Sequence, residues 1–171
     1  MTEPIDDPKY WEQRYASLRG RPTHHAIYNC GNAEDWKRIE EVHRRLIAKY
    51  VDEEDSILDV GCGWGRLIDM LPIGWSGRYV GVDLSPLFLS KARTAHPGYD
   101  FRELTFDRID SSTVLQGDLS QFDWAVCISI KGMLLNNKGT EAWDELLSRL
   151  HTVADRVLVL EYSETDKGEI L

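Results

Sequence analysis

Ile57-Leu58-Asp59-Val60-Gly61-Cys62-Gly63-Trp64-Gly65 is a short apolar run that carries one acid and then breaks into three glycines at alternate positions. Ser56–Val60 reads as a buried strand, and Gly61–Gly65 reads as the turn that follows it. Glycines at 61 and 63 allow a left-handed backbone and remove side chains that would keep a ligand away from the main chain. A glycine turn after a strand serves dinucleotide sites as well, so the turn alone does not decide the ligand. Two details narrow it. The spacing is GxGxG, with no GxGxxG, and Asp59 stands just ahead of the glycines. A carboxylate there repels a pyrophosphate, and the turn holds no lysine to offset it. The same carboxylate attracts a ligand that carries an ammonium or a sulfonium.

Working outward, Arg78–Val82 forms a second apolar strand, closed by Asp83, 24 residues after Asp59. A strand–helix–strand unit sets the two strand ends side by side, and a carboxylate at the second can accept from both hydroxyls of a ribose. The intervening segment predicts a helix over Gly65–Leu71 that stops at Pro72. Ser85-Pro86 predicts a helix start, with Ser85 as cap and Pro86 at the first position. Phe101–Phe106 reads as a third strand, Asp123–Ile130 as a fourth and Arg156–Tyr162 as a fifth. Thr140 is placed as the cap of a helix whose inner face is Trp143, Leu146, Leu147 and Leu150. Upstream, Asn32 and Asp35 frame a helix start, and Trp36, Ile39, Val42, Leu46, Ile47 and Tyr50 share one apolar face. Apolar strands alternating with amphipathic helices predict an α/β fold: a doubly wound, Rossmann-like parallel sheet with helices on both faces. Its ligand belongs beyond the carboxyl ends of the strands, where the winding reverses.

These motifs resemble the class I S-adenosylmethionine-dependent methyltransferase family. The resemblance rests on Leu58–Gly65, on Tyr79-Val80-Gly81-Val82-Asp83-Leu84-Ser85 and on Phe122-Asp123-Trp124-Ala125-Val126. It covers roughly residues 32–162 in element order. It implies S-adenosylmethionine as cofactor. Asp59, Gly61, Cys62 and Gly63 would lie along its methionine part, and Asp83 with Leu84 at the ribose. Thr105 and Phe106 would lie at the adenine, and Ile128 with Ser129 on the methyl-transfer side. Many members have an acid where Thr105 stands, and Asp107 is near enough to substitute. The family sheet continues past strand five with a helix and an antiparallel hairpin. Only Ser163–Leu171 follows Tyr162 here, so most of that hairpin is expected to be lacking. The exposed edge beside strand five then predicts a homodimer or a partner subunit.

The 171 residues suit one domain, 32–171, preceded by an attachment, 1–31, in which Tyr10, Trp11, Arg14 and Tyr15 could form a lid over the cofactor. Aromatic rings there could face a sulfonium. His24 and His25 are candidate bases, against the commoner reading of exposed loop histidines, while His43, His96 and His151 read as surface or packing residues. Cys62 reads as a small side chain that fits its turn, and Cys127 as core. Hydrophobic residues are 42% and charged residues 29%, with a net charge of −9. Residues 1–50 carry 9 Lys and Arg against 8 Asp and Glu, leaving 11 against 21 for the remainder. That balance disfavours a nucleic-acid partner. Three dispersed cysteines predict a reducing compartment without disulfide or zinc. With no signal peptide or membrane-spanning run, a cytoplasmic location is expected.

Methyl transfer requires alignment of a nucleophile more than acid–base chemistry, and no catalytic pair is legible. The (Asp/Asn)-Pro-Pro-aromatic and Pro-Cys signatures of nucleic-acid methylation do not occur, nor does an acidic metal pattern. The expected reaction is therefore transfer to an O, N or S nucleophile, of a small molecule by preference. Two other readings stand beside it: a non-catalytic cofactor-binding subunit that supports a partner protein, and a nicotinamide-dependent oxidoreductase, which Asp59 and the GxGxG spacing disfavour.

Overall fold

The computed structural model describes residues 5–17, 33–115, 121–161 and 169–170. Along the chain run α1 (Pro8–Ser17), α2 (Ala33–Tyr50), β1 (Ile57–Val60), β2 (Tyr79–Asp83), α3 (Pro86–Ala95), β3 (Asp100–Glu103) and the one-turn α4 (Ser111–Val114). Then follow β4 (Phe122–Ile128), α5 (Lys131–Lys138), α6 (Thr140–Leu150), β5 (Ala154–Leu160) and β6 (Glu169–Ile170). The strands form one sheet in the order β3-β2-β1-β4-β5-β6. β1 to β5 are parallel, and β6 is antiparallel to β5. The winding reverses at β1, between β2 and β4, as the sequence predicts.

Alternation along each strand sorts the core into two layers. Leu58, Val80, Ala125 and Val157 face one way and pack with Trp143, Leu146 and Leu150 of α6. Ile57, Tyr79, Trp124 and Leu158 face the other way and pack with Ile47 of α2 and Leu89 and Ala92 of α3. Both faces are buried, which is why these strands read as continuous apolar runs. The register sets Asp59 opposite Gly81 on one side and Val126 on the other.

Several expected boundaries shift, each for a local reason. The segment after the glycine turn forms only a 3₁₀ turn over Ile68–Met70, not a helix over Gly65–Leu71. Leu71 is extended with ψ 153° ahead of Pro72, as a pre-proline residue must be, and too few residues remain to nucleate an α-helix. β3 stops at Glu103, short of Phe106, because the chain turns into a 3₁₀ segment over Phe106–Arg108. Thr140 is the first residue of α6, and the cap is Gly139, with φ 84°. Gly139 also closes α5, and glycine takes that left-handed position without strain. The α5 helix is absent from the sequence expectation because only Leu134 in it is buried, so no apolar stripe marks it. Ser85 does cap α3, accepting from the Phe88 N–H at 3.4 Å, with Pro86 next.

The edge beside β5, expected to be open, is partly covered by the chain itself. β6 pairs Ile170 with Leu158 and Glu169 with Val159. A return over eight residues is too short for a parallel crossover, so the added strand runs antiparallel. The expected cap Asn32, His24, His25, Cys30 and the end of strand five at Tyr162 lie outside the described residues.

Candidate active site

The glycine turn is built by two amides. The N–H groups of Gly61 and Cys62 both donate to the Val82 carbonyl, at 2.8 and 3.0 Å. Gly61 has φ 70°, and a Cβ there would meet Ile130 Cδ1 at 2.4 Å. Gly63 has φ 55° with no atom within 4 Å of a Cβ position, so it faces open space. One glycine is needed for close packing and the other for conformation. Cys62 packs over Gly81, where a Cβ would lie 3.0 Å from the Cys62 Sγ. Burial, with Asp59 and Asp83 nearby, pushes the Cys62 thiol well above its usual range. Cys62 is thus a small side chain that fits, held protonated and unsuited to attack as a thiolate.

Asp59 is 2% exposed and accepts from the Tyr79 hydroxyl at 2.7 Å. Burial pushes its carboxyl up to about 7, with the Tyr79 hydrogen bond and the Arg66 charge pulling down and Asp83 pushing up. Asp83 accepts from the amides of Gly63 at 2.9 Å and Ser85 at 2.8 Å. Burial raises its pKa, and those amides oppose the rise. The acid at the end of β2 therefore holds the glycine turn of β1 in place. A two-oxygen acceptor beside exposed main chain also suits a vicinal diol.

β4 ends in an unusual turn. Ser129, just beyond it, has φ 63°, and among described non-glycine residues it alone is left-handed. Its Oγ is buried without a hydrogen-bond partner. The Glu161 carboxylate, just past β5, receives the amides of Ile130, Lys131 and Gly132. It thereby caps α5, whose own N-cap residue, Ile130, supplies no side-chain cap.

These strand ends surround an open cleft enclosing about 810 Å³. Asp59, Gly61, Cys62, Gly63 and Asp83 line it from the β1 and β2 side, Leu84 and Phe106 from one flank, and Ile128 with Ser129 from β4. Thr105 is not in this cleft. It lines an adjoining hollow with Asp107, into which Leu84 and Phe106 also reach. Trp11 of α1 reaches the cleft as well, and its ring lies 6.5 Å from Phe88 of α3. Tyr15 and Trp64 contact the same ring, at 6.0 and 5.7 Å. The sequence reading missed Arg66, Phe88 and Met133, which also line the cleft. Arg66 carried a legible signal, a cation one residue beyond the glycine turn. Phe88 and Met133 carried none, because an apolar lining residue looks like core. His43, read as surface or packing, is buried at 2% exposure.

The comparisons with known proteins bear on this arrangement. Residues 57–155 match the family described as "Methyltransferase domain", which is more than half of the chain. The chain belongs to this methyltransferase family. The cofactor of the family is S-adenosylmethionine.

Solved structures share the fold. A TehB-like SAM-dependent methyltransferase from Corynebacterium glutamicum aligns over 89% of this chain and 71% of its own, at 20% identity and TM-score 0.53. Streptomyces venezuelae DesVI aligns over 83% and 58%, at 20% identity and TM-score 0.56. Magnesium protoporphyrin IX methyltransferase from Synechocystis PCC 6803, with bound SAH, aligns over 86% and 65%, at 16% identity and TM-score 0.58. The chain thus spans from under three-fifths to about seven-tenths of these three chains. No curated protein sequence matches it.

The cleft suits the family cofactor on its own chemistry. It combines a carboxylate for a diol, opposite charges for a zwitterionic tail, and apolar flanks for a purine. Among the described residues, no helix is long and apolar enough to cross a membrane, and no group of three or more His, Cys, Asp or Glu could hold a metal ion.

Proposed function

We propose that the chain is an S-adenosylmethionine-dependent methyltransferase acting on an O, N or S nucleophile of a small molecule. The observation that carries this reading is the meeting of Asp59, the Gly61–Gly63 turn and Asp83 in one cleft at the reversal of the sheet. When bound, the cofactor supplies an activated methyl group on sulfur. The residues of the chain bind and orient. Asp83 takes the ribose hydroxyls, the glycine turn lets the ligand lie against main chain, and Asp59 takes the ammonium. Leu84 and Phe106 flank the purine, with Thr105 or Asp107 in the adjoining hollow within reach of its edge. Ile128 and Ser129 border the face from which a nucleophile must approach in line with the S–CH₃ bond.

A small acceptor is supported by the net charge of −9, which disfavours a phosphate backbone. It is also supported by the kind of structural neighbours, among them a magnesium protoporphyrin IX methyltransferase and a plantazolicin methyltransferase. Residues 5–17 belong to the same reading, with α1 as a lid. Trp11 and Tyr15 rest on Phe88, and Lys138 of α5 pairs with Asp6 at 2.5 Å, so the segment is tied to both α3 and α5.

Calorimetry with S-adenosylmethionine and S-adenosylhomocysteine tests the proposal, with Asp83→Ala as control. Binding on the order of micromolar that the variant loses is the expected result. Absence of binding to the wild-type chain overturns it.

A further inference from the structure

Asp59 answers only half of the charge that a zwitterionic tail brings into the cleft. The amino-acid part of the cofactor carries an ammonium and a carboxylate on one carbon. Placing that carboxylate beside Asp59 in a partly dry cleft is unfavourable unless a cation stands at the same end. Arg66 stands there. It lines the cleft at 8% exposure, in the turn that follows Gly65. Its guanidinium lies 5.1 Å from the Trp36 ring centroid, a stacking that holds the planar group in place. Its charge acts on both Asp59 and His43. Together with burial it keeps His43 neutral, with a pKa lowered to about 4, so His43 adds no second positive charge at neutral pH. Ser129 lines the same cleft and brings a buried hydroxyl that has no partner. Its left-handed backbone carries a strain of the kind kept where a site over-determines geometry.

Resting on the function proposed above, we propose that Arg66 and Ser129 seat the carboxylate of the cofactor's amino-acid tail, opposite Asp59, which takes its ammonium. A guanidinium fork matches a carboxylate with two parallel hydrogen bonds, and the serine hydroxyl adds a donor. Both are binding residues for the tail, distinct in role from the Asp83 end, which serves the nucleoside.

Three ligands separate the parts by calorimetry on the full chain. S-adenosylhomocysteine has the whole tail. S-adenosyl-3-thiopropylamine keeps the ammonium and lacks the carboxylate, and 5′-methylthioadenosine lacks both. The wild-type chain is expected to favour S-adenosylhomocysteine over S-adenosyl-3-thiopropylamine by about tenfold or more. Arg66→Gln is expected to erase that preference by weakening S-adenosylhomocysteine alone, while its affinity for 5′-methylthioadenosine stays within about twofold. Arg66→Lys should restore part of the preference, since a point charge replaces a fork. Ser129→Ala should cost S-adenosylhomocysteine about threefold and leave 5′-methylthioadenosine unchanged. Equal weakening of all three ligands by Arg66→Gln overturns the inference, because that is a structural effect. A wild-type chain that binds the two tailed ligands equally overturns it without any variant. If the wild-type chain binds 5′-methylthioadenosine and S-adenosylhomocysteine, the cofactor reading stands whatever becomes of Arg66. If it binds neither, both fall.

Discussion

Asp59 combines full burial, one phenol hydrogen bond and a raised pKa, and this gives it a readable pH dependence. The groups that face it are Tyr79, Arg66, Asp83 and Cys62. Its folded value of about 7 exceeds the ordinary 3.8. The stability it contributes is therefore fully present below about pH 4 and is lost as the pH rises through about 7. A ligand ammonium reverses the preference, because it favours the ionised carboxylate. The affinity for S-adenosylhomocysteine is expected to climb between pH 5 and 7, by at most about tenfold per unit, and to level off above. Asp59→Asn should flatten that profile in a calorimetric pH series. Ser129 gives a second residue-scale test. Ser129→Gly relieves a left-handed φ and should raise the thermal midpoint, corresponding to roughly 0.5–1 kcal/mol, even though it removes the hydroxyl from the cleft.

At the scale of elements, the helix that follows Asp83 starts on a buried cap. Ser85 has no exposure, and its hydroxyl accepts from the Phe88 amide. Ser85→Ala should cost about 1 kcal/mol in chemical denaturation, and it should weaken S-adenosylhomocysteine only slightly, because Asp83 keeps the Gly63 amide. α1 behaves differently. Among its described residues none is buried, so it adds little to the core, yet Trp11 lies on the cleft. Trp11→Ala should leave the unfolding midpoint nearly unchanged. It should speed dissociation of S-adenosylhomocysteine by about tenfold in stopped-flow displacement, the equivalent of roughly 1.4 kcal/mol. An unchanged dissociation rate would remove α1 from the cofactor site.

At the scale of the whole molecule, the cleft draws its walls from β1, β2, β4 and α1, elements far apart in the chain. A ligand that bridges them binds only the folded state. S-adenosylhomocysteine at about a hundredfold its dissociation constant should add roughly 2.7 kcal/mol of stability. A scanning-calorimetry titration should show that shift in the wild-type chain and lose it in Asp83→Ala.

The α/β class, the strand order around β1 and the ends that carry Asp59 and Asp83 were all decided by sequence. Alternate-position glycines, an acid ahead of them and an apolar run of β-branched residues are local patterns, set by backbone sterics and burial period. What lay outside reach is what depends on contacts between distant segments. α5 has no apolar stripe to announce it, and Gly139 rather than Thr140 ends one helix and starts the next. Thr105 sits one hollow away from the cleft because β3 stops early and the chain turns. Arg66 was visible as a cation after the turn, but its burial over Trp36 and its place opposite Asp59 arise only when α2 packs on the sheet. The left-handed Ser129, with its unpartnered hydroxyl, likewise exists only where β4 meets the start of α5, whose amides Glu161 gathers from beyond β5. Local propensity specifies the elements, whereas a binding site is set by which buried charges and hydroxyls the packing leaves facing one another. That is decided by long-range contact.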